Sequence, residues 1–322
     1  MTARVRVPAS SSNLGSGFDC VGIAIDRWLT ASATRERPAN GISIRRRGTL
    51  SAVRVRGDQD LFTRGFRAAC AAGDVSPGGV SIDAASDIPI GCGVGSSAAA
   101  IVAGALLADA TFELGLSRAE ILEIGTTIEG HPDNIAPAIY GGAVLSVHTP
   151  TGLVCAPLQV ARGIELLIAV PPFPNDTKAA RAALPQTLPH TEAVIAASRA
   201  AALVQGLATG DGALLGAALD DVLHVPFRRG RIRGYDAVVA AAKRAGAYGA
   251  TLSGAGSAIL AIAPRERSAP VGVAMIAAWA DQGVVADLIE CRSPVGGASV
   301  MADASRTTDD ARRATLATKE LP

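Results

Sequence analysis

The sequence has few aromatic residues, 3% of its 322 positions, and no excess of either charge: 30 Lys and Arg stand against 29 Asp and Glu, for a net +1. A chain this close to neutral sets up no global field that would gather nucleic acid or a membrane surface. Positive charge does concentrate locally, at Arg35, Arg37, Arg45, Arg46, Arg47, Arg54 and Arg56. These arginines alternate with Ile42, Ile44, Val53 and Val55 and have no aromatic platform beside them, so they read as solvated faces of strands. The five cysteines, at 20, 70, 92, 155 and 291, are odd in number, scattered and without a Cys-x-x-Cys pair, which excludes a disulfide framework and a zinc site. No apolar run reaches the length of a membrane span before charge or glycine breaks it. Met1 leads into Arg4-Val-Arg-Val-Pro8 without the apolar core of a signal peptide. The expectation is a reduced, cytoplasmic protein with a small-molecule substrate, no nucleic acid and no membrane.

What is present is a globular composition, 49% apolar and 18% charged, long enough for one large domain or two medium ones. The most informative stretch is Asp87-Ile-Pro-Ile-Gly-Cys-Gly-Val-Gly-Ser-Ser-Ala-Ala-Ala100. An extended segment runs into a glycine-rich turn and then into an Ala-rich helix predicted over 97–112. Gly91, Gly93 and Gly95 permit positive φ and a close backbone approach, and Ser96-Ser97 stands where an N-cap belongs. Unpaired N–H groups and the helix dipole at such an end favour an anion, most naturally phosphate. The loop is not a Walker A motif, having no lysine, nor a dinucleotide fingerprint, which would follow the first strand of its unit.

Along the rest of the chain, residues 3–34 alternate like strands around a Ser/Asn/Gly-rich turn over 8–19. Helices are predicted at 60–72, 117–128 (with Ser117 and Glu120 as a capping box), 190–208, 211–223, 235–245 and 271–282. Strands are predicted at 80–84, 143–147, 165–170, 247–253, 258–263 and 284–289. Residues 129–134 read as a polar turn that leads through Ala136-Pro137 to Gly141-Gly142, 175–181 as a loop, and the chain from 299 as a polar tail. Mixed element order without a βαβ rhythm gives an α+β protein. The domains are set at 1–155, 156–298 and a tail over 299–322.

Three motifs in order, at residues 8–19, 89–99 and 252–257 (Leu252-Ser-Gly-Ala-Gly-Ser257), resemble those of the GHMP kinases over most of residues 3–290. Within that family, Ser12-Asn-Leu-Gly-Ser-Gly-Phe-Asp19, Glu129-Gly-His-Pro-Asp-Asn134, Thr177-Lys-Ala-Ala-Arg181 and Pro226-Phe-Arg228 are similar to its homoserine kinases. Cys92 and Arg231-Ile-Arg-Gly234 depart from the usual pattern. The resemblance implies a two-domain GHMP kinase fold, with an N-terminal ribosomal S5 domain 2-like domain and a C-terminal ferredoxin-like α/β domain. It further implies ATP and Mg²⁺ as cofactors, L-homoserine as substrate, and a homodimer.

The site residues carried over are these. The phosphate loop is Pro89, Ile90, Gly91, Cys92, Gly93, Val94, Gly95, Ser96, Ser97, Ala98 and Ala99. The metal ligands are Ser96 or Ser97 with Glu129, Glu123 being the alternative. Arg181 and Arg228 bind the substrate carboxylate, a planar bidentate task, with Arg229 as the neighbour that could replace Arg228. Asp19 and Asn13 receive the ammonium, His131 and Asn134 orient the hydroxyl, and Thr177 lies near the γ-phosphate. Asp19, Asn134 and Thr177 are the expected catalytic set. No Asp or Lys in these motifs is placed as a strong base, so positioning and charge neutralisation are expected to carry the rate. Alkylation of Cys92 is expected to slow when ATP binds. Another small-molecule kinase of the family, acting on a mevalonate-type acid or a sugar, and a non-catalytic ligand sensor on the same fold remain alternatives.

Overall fold

The structure is a computed structural model describing residues 2–36, 41–55 and 57–301; Arg37, Arg56 and the expected tail beyond Met301 lie outside the described residues. Two long strands, β1 (Thr2–Asn13) and β2 (Gly17–Arg35), form an antiparallel pair, with β3 (Ile42–Gly48) following. Helix α1 (Leu61–Ala72), β4 (Val80–Ser86), α2 (Ser96–Phe112), α3 (Arg118–Glu129), α4 (Ile135–Tyr140), β5 (Ala143–Thr149) and β6 (Gly152–Leu158) complete the first unit. Among the described residues its sheet has seven strands, in the order β11-β1-β2-β4-β3 with β5 on β2 and β6 on β5. The strand that closes its edge, β11 (Ser299–Met301), pairs antiparallel with β1 at Arg4–Arg6.

The second unit holds β7 (Ile164–Val170), α5 (Thr177–Ala182), α6 (His190–Thr209), α7 (Gly212–Leu219), α8 (Val225–Arg228), α9 (Tyr235–Ala245), β8 (Gly249–Leu252), β9 (Ile259–Pro264), α10 (Ser268–Ala280) and β10 (Asp287–Cys291). Its four strands run β10-β7-β9-β8, every neighbouring pair antiparallel. That is the ferredoxin-like order. Strand β7 is buried along its whole length. Its alternate residues divide between two cores: Ile164, Leu166, Ile168 and Val170 join the large core of the first unit, while Leu167 and Ala169 face α9 and α10. The period of two thereby welds the units into one packed body.

Helix α2 runs through the centre of the large core. Every residue from Ala98 to Ala108 is buried, as expected of a helix apolar all round. Small residues let α1 cross it at close range. A Cβ on Gly104 would lie 2.1 Å from the Phe62 carbonyl oxygen, and one on Gly65 would lie 2.2 Å from that of Ile101.

Several predicted elements differ from those observed. Residues 8–13 belong to β1, and the turn shrinks to residues 14–16, because Ser10, Ser11 and Ser12 find buried partners that let them sit in a strand. Residues 53–55 are not a strand. The connection after the polar turn of 129–134 is a helix, α4, whose apolar run Ile135–Ile139 is buried, and the loop at 175–181 contains α5, N-capped by Asp176. Strand β6 was hidden by its Thr-Pro-Thr-Gly turn; it spans the expected boundary at 155/156 and pairs with β5 from Ala143↔Leu158 to Thr149↔Gly152. Residues 299–301 are strand and not tail, since the bare edge of β1 offers them hydrogen bonds.

Replacing Gly104 or Gly65 by Ala forces α1 and α2 apart. Each change is expected to lower the unfolding free energy by about 1–3 kcal/mol, read from the shift of the urea midpoint; an unchanged midpoint would refute the close crossing.

Candidate active site

One cleft of about 130 Å³ gathers residues from all the predicted motifs: Asn13, Asp19, Gly91, Gly93, Gly95, Ser96, Ser97, Glu129, His131, Asn134, Thr177, Arg181 and Arg228. Its walls are knit together by hydrogen bonds between chain segments far apart in sequence. Ser11 Oγ bonds Ser253 Oγ at 2.8 Å, and Ser253 Oγ donates to the Gly93 carbonyl at 2.6 Å. Asn13 Nδ2 donates to Gly254 O, and Gly254 N donates to Ser12 O.

Gly91, Gly93 and Gly95 all take positive φ, as predicted. The close approach they permit is to protein. A Cβ on Gly93 would lie 2.2 Å from Ser253 O, and one on Gly95 would lie 2.1 Å from Ser10 Oγ. The N-cap of α2 is Gly95, in the left-handed conformation and with no side-chain cap, so Ser96 and Ser97 are its first two helical residues and not its cap. Serine hydroxyls that would otherwise consume first-turn N–H groups are turned elsewhere, and the positive end of a long helix stays open to an anion. Ser96 Oγ accepts from Gly91 N at 3.3 Å, whereas Ser97 Oγ donates to Glu129 Oε1.

Of the remaining loop residues, Cys92, Val94, Ala98 and Ala99 point into the core. The Cys92 thiol donates to the carbonyls of Ile90 and Pro171. Burial raises its pKa, against a hydrogen bond from Ser257 that lowers it. The protein itself therefore shields this thiol, and the expected effect of ATP on its alkylation has no structural basis. Pro89 is half-buried and Ile90 is exposed.

Ile90 lines a second, apolar cavity of about 270 Å³ that adjoins the loop and includes Ile44, Val53, Leu61, Phe62 and Ala100. Sequence reasoning missed it, having assigned Ile44 and Val53 to strand faces. The apolar, half-buried side of β3 was the available signal. Arg46 lies on that same side, paired with the buried Asp60 at 2.6 Å, while Arg45 and Arg47 are exposed.

Glu129 ends α3, whose capping box at Ser117 and Glu120 is formed as predicted. Burial pushes its carboxyl above the ordinary range, and the Ser97 hydroxyl and His131 pull it back. Glu123 is exposed and lines a different cavity, with Tyr140 and His148. A carboxylate touching a hydroxyl at a phosphate-binding helix end is the oxygen donor set of a hard cation, and the Ser97–Glu129 pair fits that group.

The 130–134 turn is pressed against β2, where a Cβ on Gly22 would fall 1.7 Å from the Asp133 carbonyl. His131 Nδ1 bonds the buried Asp133 carboxylate. Burial works to lower the His131 pKa, but the Asp133 bond and the charges of Asp133, Glu129 and Asp19 raise it above its ordinary value. Asn134 has its amide occupied: Oδ1 accepts from Ser10 Oγ at 2.9 Å, and Nδ2 donates to Ser12 Oγ at 2.8 Å. Asp133, Ser10 and Ser12 were not singled out from sequence, although all three lie within or beside the motifs.

Asp19 and Arg181, expected to take the substrate's ammonium and its carboxylate, form a bidentate pair with both bonds at 2.8 Å. The hydrogen bond to Asp19 raises the Arg181 pKa. Asn13 holds Asp19 from behind, its Oδ1 accepting from Asp19 N at 3.0 Å. Arg228 is 1% exposed, donates from Nε to Ala180 O, and has its pKa lowered by burial and then by Arg181. Arg229 is exposed and pairs with Asp236 instead. Thr177 opens α5 and lines the cleft. The departure at 231–234 is structural: Ile232 is buried, and Gly234 caps α9 at positive φ against Trp279.

Comparison with known proteins agrees with this geometry. The profile of the GHMP kinases N terminal domain matches residues 60–142, and that of the GHMP kinases C terminal domain matches residues 201–281. A homoserine kinase of Gloeobacter violaceus is 42% identical over 279 residues, 85% of this chain and 92% of its own. One of Crocosphaera subtropica is 37% identical over 303 residues, 94% of this chain and 98% of its own. The crystal structure of homoserine kinase from Cytophaga hutchinsonii superposes with a TM-score of 0.84 at 27% identity, covering 93% of this chain and 97% of that one. With both family domains present, in order and over most of its length, the chain belongs to the GHMP kinase family and stands beside that family's homoserine kinases.

Proposed function

We propose that the chain is an ATP-dependent kinase that transfers the γ-phosphoryl group of ATP to the side-chain hydroxyl of L-homoserine, giving O-phospho-L-homoserine in threonine biosynthesis. The supporting observation is the convergence of Arg181, Arg228 and Asp19 on the cleft that also holds the open end of α2. A zwitterionic amino acid needs both signs of charge beside the phosphate cradle. A mevalonate-type acid carries no ammonium for Asp19, and a sugar has use for neither arginine. A ligand sensor would have no need of the Ser97–Glu129 pair.

In this reading the backbone of residues 91–99 cradles the phosphates and the apolar cavity beside Ile90 takes the nucleobase. Ser97 and Glu129 would hold Mg²⁺, whose chemistry when bound is to offset the negative charge of the phosphates. The substrate carboxylate engages Arg181 and Arg228, and its ammonium engages Asp19, so binding exchanges the Asp19–Arg181 pair for two intermolecular ones. Thr177 lies towards the transferred group. His131 and Asn134, held by Asp133, Ser10 and Ser12, orient the acceptor hydroxyl. Asp19 is held by Arg181 and Asp133 by His131, so both carboxylates are already engaged. The hydroxyl proton therefore passes to a phosphate oxygen, and the rate comes from in-line placement. The resemblance also brings a cytoplasmic setting and a homodimer into the proposal, and sedimentation of the purified chain checks the dimer.

ADP release with Mg·ATP should be seen with L-homoserine and not with mevalonate, galactose or L-serine; turnover on another acceptor, or on none, would overturn the reading. Arg181→Ala is expected to raise KM for homoserine ~10- to 100-fold, the worth of a charge-assisted hydrogen bond. Glu129→Gln is expected to lower kcat by about 100-fold or more at fixed Mg²⁺, and retention of full kcat would remove Glu129 from the metal site.

A further inference from the structure

The buried imidazole of His224 has no role in the functional reading so far. It is 0% exposed, lies four residues before Arg228, and precedes the single turn of α8. Its Nδ1 lies 3.3 Å from Arg228 Nη1, and its Nε2 lies 3.2 Å from the carbonyl oxygen of Gly15, in the turn between β1 and β2. A guanidinium can only donate, so Nδ1 must be the lone-pair nitrogen, and the ring proton must sit on Nε2 and point at Gly15 O. The contact with Arg228 therefore requires a neutral ring in one tautomer. On its flat side the ring stacks on Phe18, centroids 5.0 Å apart and planes inclined by 21°. Phe18 in turn lies 5.2 Å from the Arg228 guanidinium carbon and 5.7 Å from that of Arg181.

We infer that His224 is a positioning residue for the amino-acid substrate: it accepts from Arg228 while donating to the substrate turn, and so holds the carboxylate-binding guanidinium in register with Phe18 and Asp19. The inference rests on the homoserine reading above. A buried guanidinium is costly unless its donors are directed to acceptors. Ala180 O takes Nε and His224 takes one edge of Nη1. Arg228 also lines the cleft, where its fork can meet a carboxylate.

The charged groups around the ring are consistent with neutrality. Burial pushes its pKa down to about 4, against the attraction of Asp221 and Asp19 and with the help of Arg228. The Asp221 carboxylate is 3.7 Å from Nε2, and its oxygens accept from the backbone N–H groups of Leu223, His224 and Val225. It caps the turn and does not claim the ring. Arg181, across Phe18, is engaged by Asp19. A ring that merely filled space would need neither the acceptor on one nitrogen nor the donor on the other.

The test compares three substitutions with the wild type. His224→Phe keeps a flat ring and loses both bonds. His224→Asn puts an amide oxygen near the place of Nδ1, and His224→Gln puts an amide nitrogen near that of Nε2. Wild-type turnover on L-homoserine is measured first; its absence overturns the homoserine reading and this inference with it. Given turnover, His224→Phe is expected to raise KM for homoserine by about tenfold or more and to leave KM for ATP within about twofold. His224→Asn is expected to restore most of the loss. Parallel changes in both KM values, no change in either, or an Asn variant no better than the Phe variant would overturn the inference while leaving the reading intact. Should His224→Phe fail to fold, the Asn variant must still bind homoserine more tightly than the Gln variant, and equality would refute the role.

A second readout is stability against pH. The folded chain keeps His224 neutral where the unfolded chain, with an ordinary value of 6.5, takes up a proton. Wild type should therefore lose stability relative to His224→Asn as pH falls from 6.5 towards 4. A pH-independent difference would mean that the folded ring takes up a proton as readily as the unfolded one, so that its place against Arg228 does not hold it neutral.

Discussion

The site depends on backbone approaching backbone more closely than any side chain would permit. Gly93 lies against the 253–256 turn and Gly95 against Ser10. Through these contacts the phosphate loop, the first strand and the late glycine turn become three sides of one wall. The hydrogen bonds that follow, from Ser11 to Ser253, from Ser253 to Gly93 and from Asn13 to Gly254, are possible only at that separation. Glycine is thus demanded in the loop first by the fold, and the exposure of helix N–H groups to a phosphate comes as a consequence. The same close packing recurs behind the site, where Gly22 admits the Asp133 carbonyl and Gly104 admits α1.

Within that wall the charges are sorted. Asp19 holds Arg181 and Asp133 holds His131, which leaves the buried Arg228 beside Phe18 and the half-buried Glu129 beside Ser97, at separate places. The burial that lowers the pKa of one and raises that of the other makes each a poor place for solvent and a good one for a counter-charge. The open end of α2 adds a third preference, for an anion. On the proposed reading, a carboxylate, a cation and a phosphate chain would each have a separate place in one small cleft.

Much of this was legible in the sequence because it is written in local chemistry. Positive φ at the three loop glycines, the Ser117–Glu120 capping box and the bounds of α9 follow from neighbours in the chain. The clustering of the motif residues was legible through resemblance. What was not legible depends on partners distant in sequence. Ser10, Ser11 and Ser12 read as a turn because their hydrogen-bond partners are contributed by residues 134 and 253, and they are strand once those partners are known. Strand β11, three residues long, is too short to declare itself without the edge of β1. The apolar cavity draws on β3, α1 and α2 together, so no single stretch announces it. His224 was passed over because nothing in its immediate sequence shows that Phe18 and Gly15 surround it.

The two arginines are not equivalent, and the difference bears on how a substrate enters. Arg181 is partly exposed, sits on a helix of six residues and is neutralised by Asp19. Arg228 is enclosed, fixed by Ala180 and His224, and carries its charge at the cost of desolvation. A carboxylate arriving at Arg228 relieves a standing penalty, because the guanidinium is already dry and directed. The same carboxylate meeting Arg181 must compete with Asp19, and that competition is offset only when the ligand also brings an ammonium for Asp19 to accept. A simple acid therefore gains from one arginine and loses at the other, whereas a zwitterion satisfies all three groups. On the proposed reading, selection for an amino acid rests on the pairing of Asp19 with Arg181, before any contact with the hydroxyl that is to be phosphorylated.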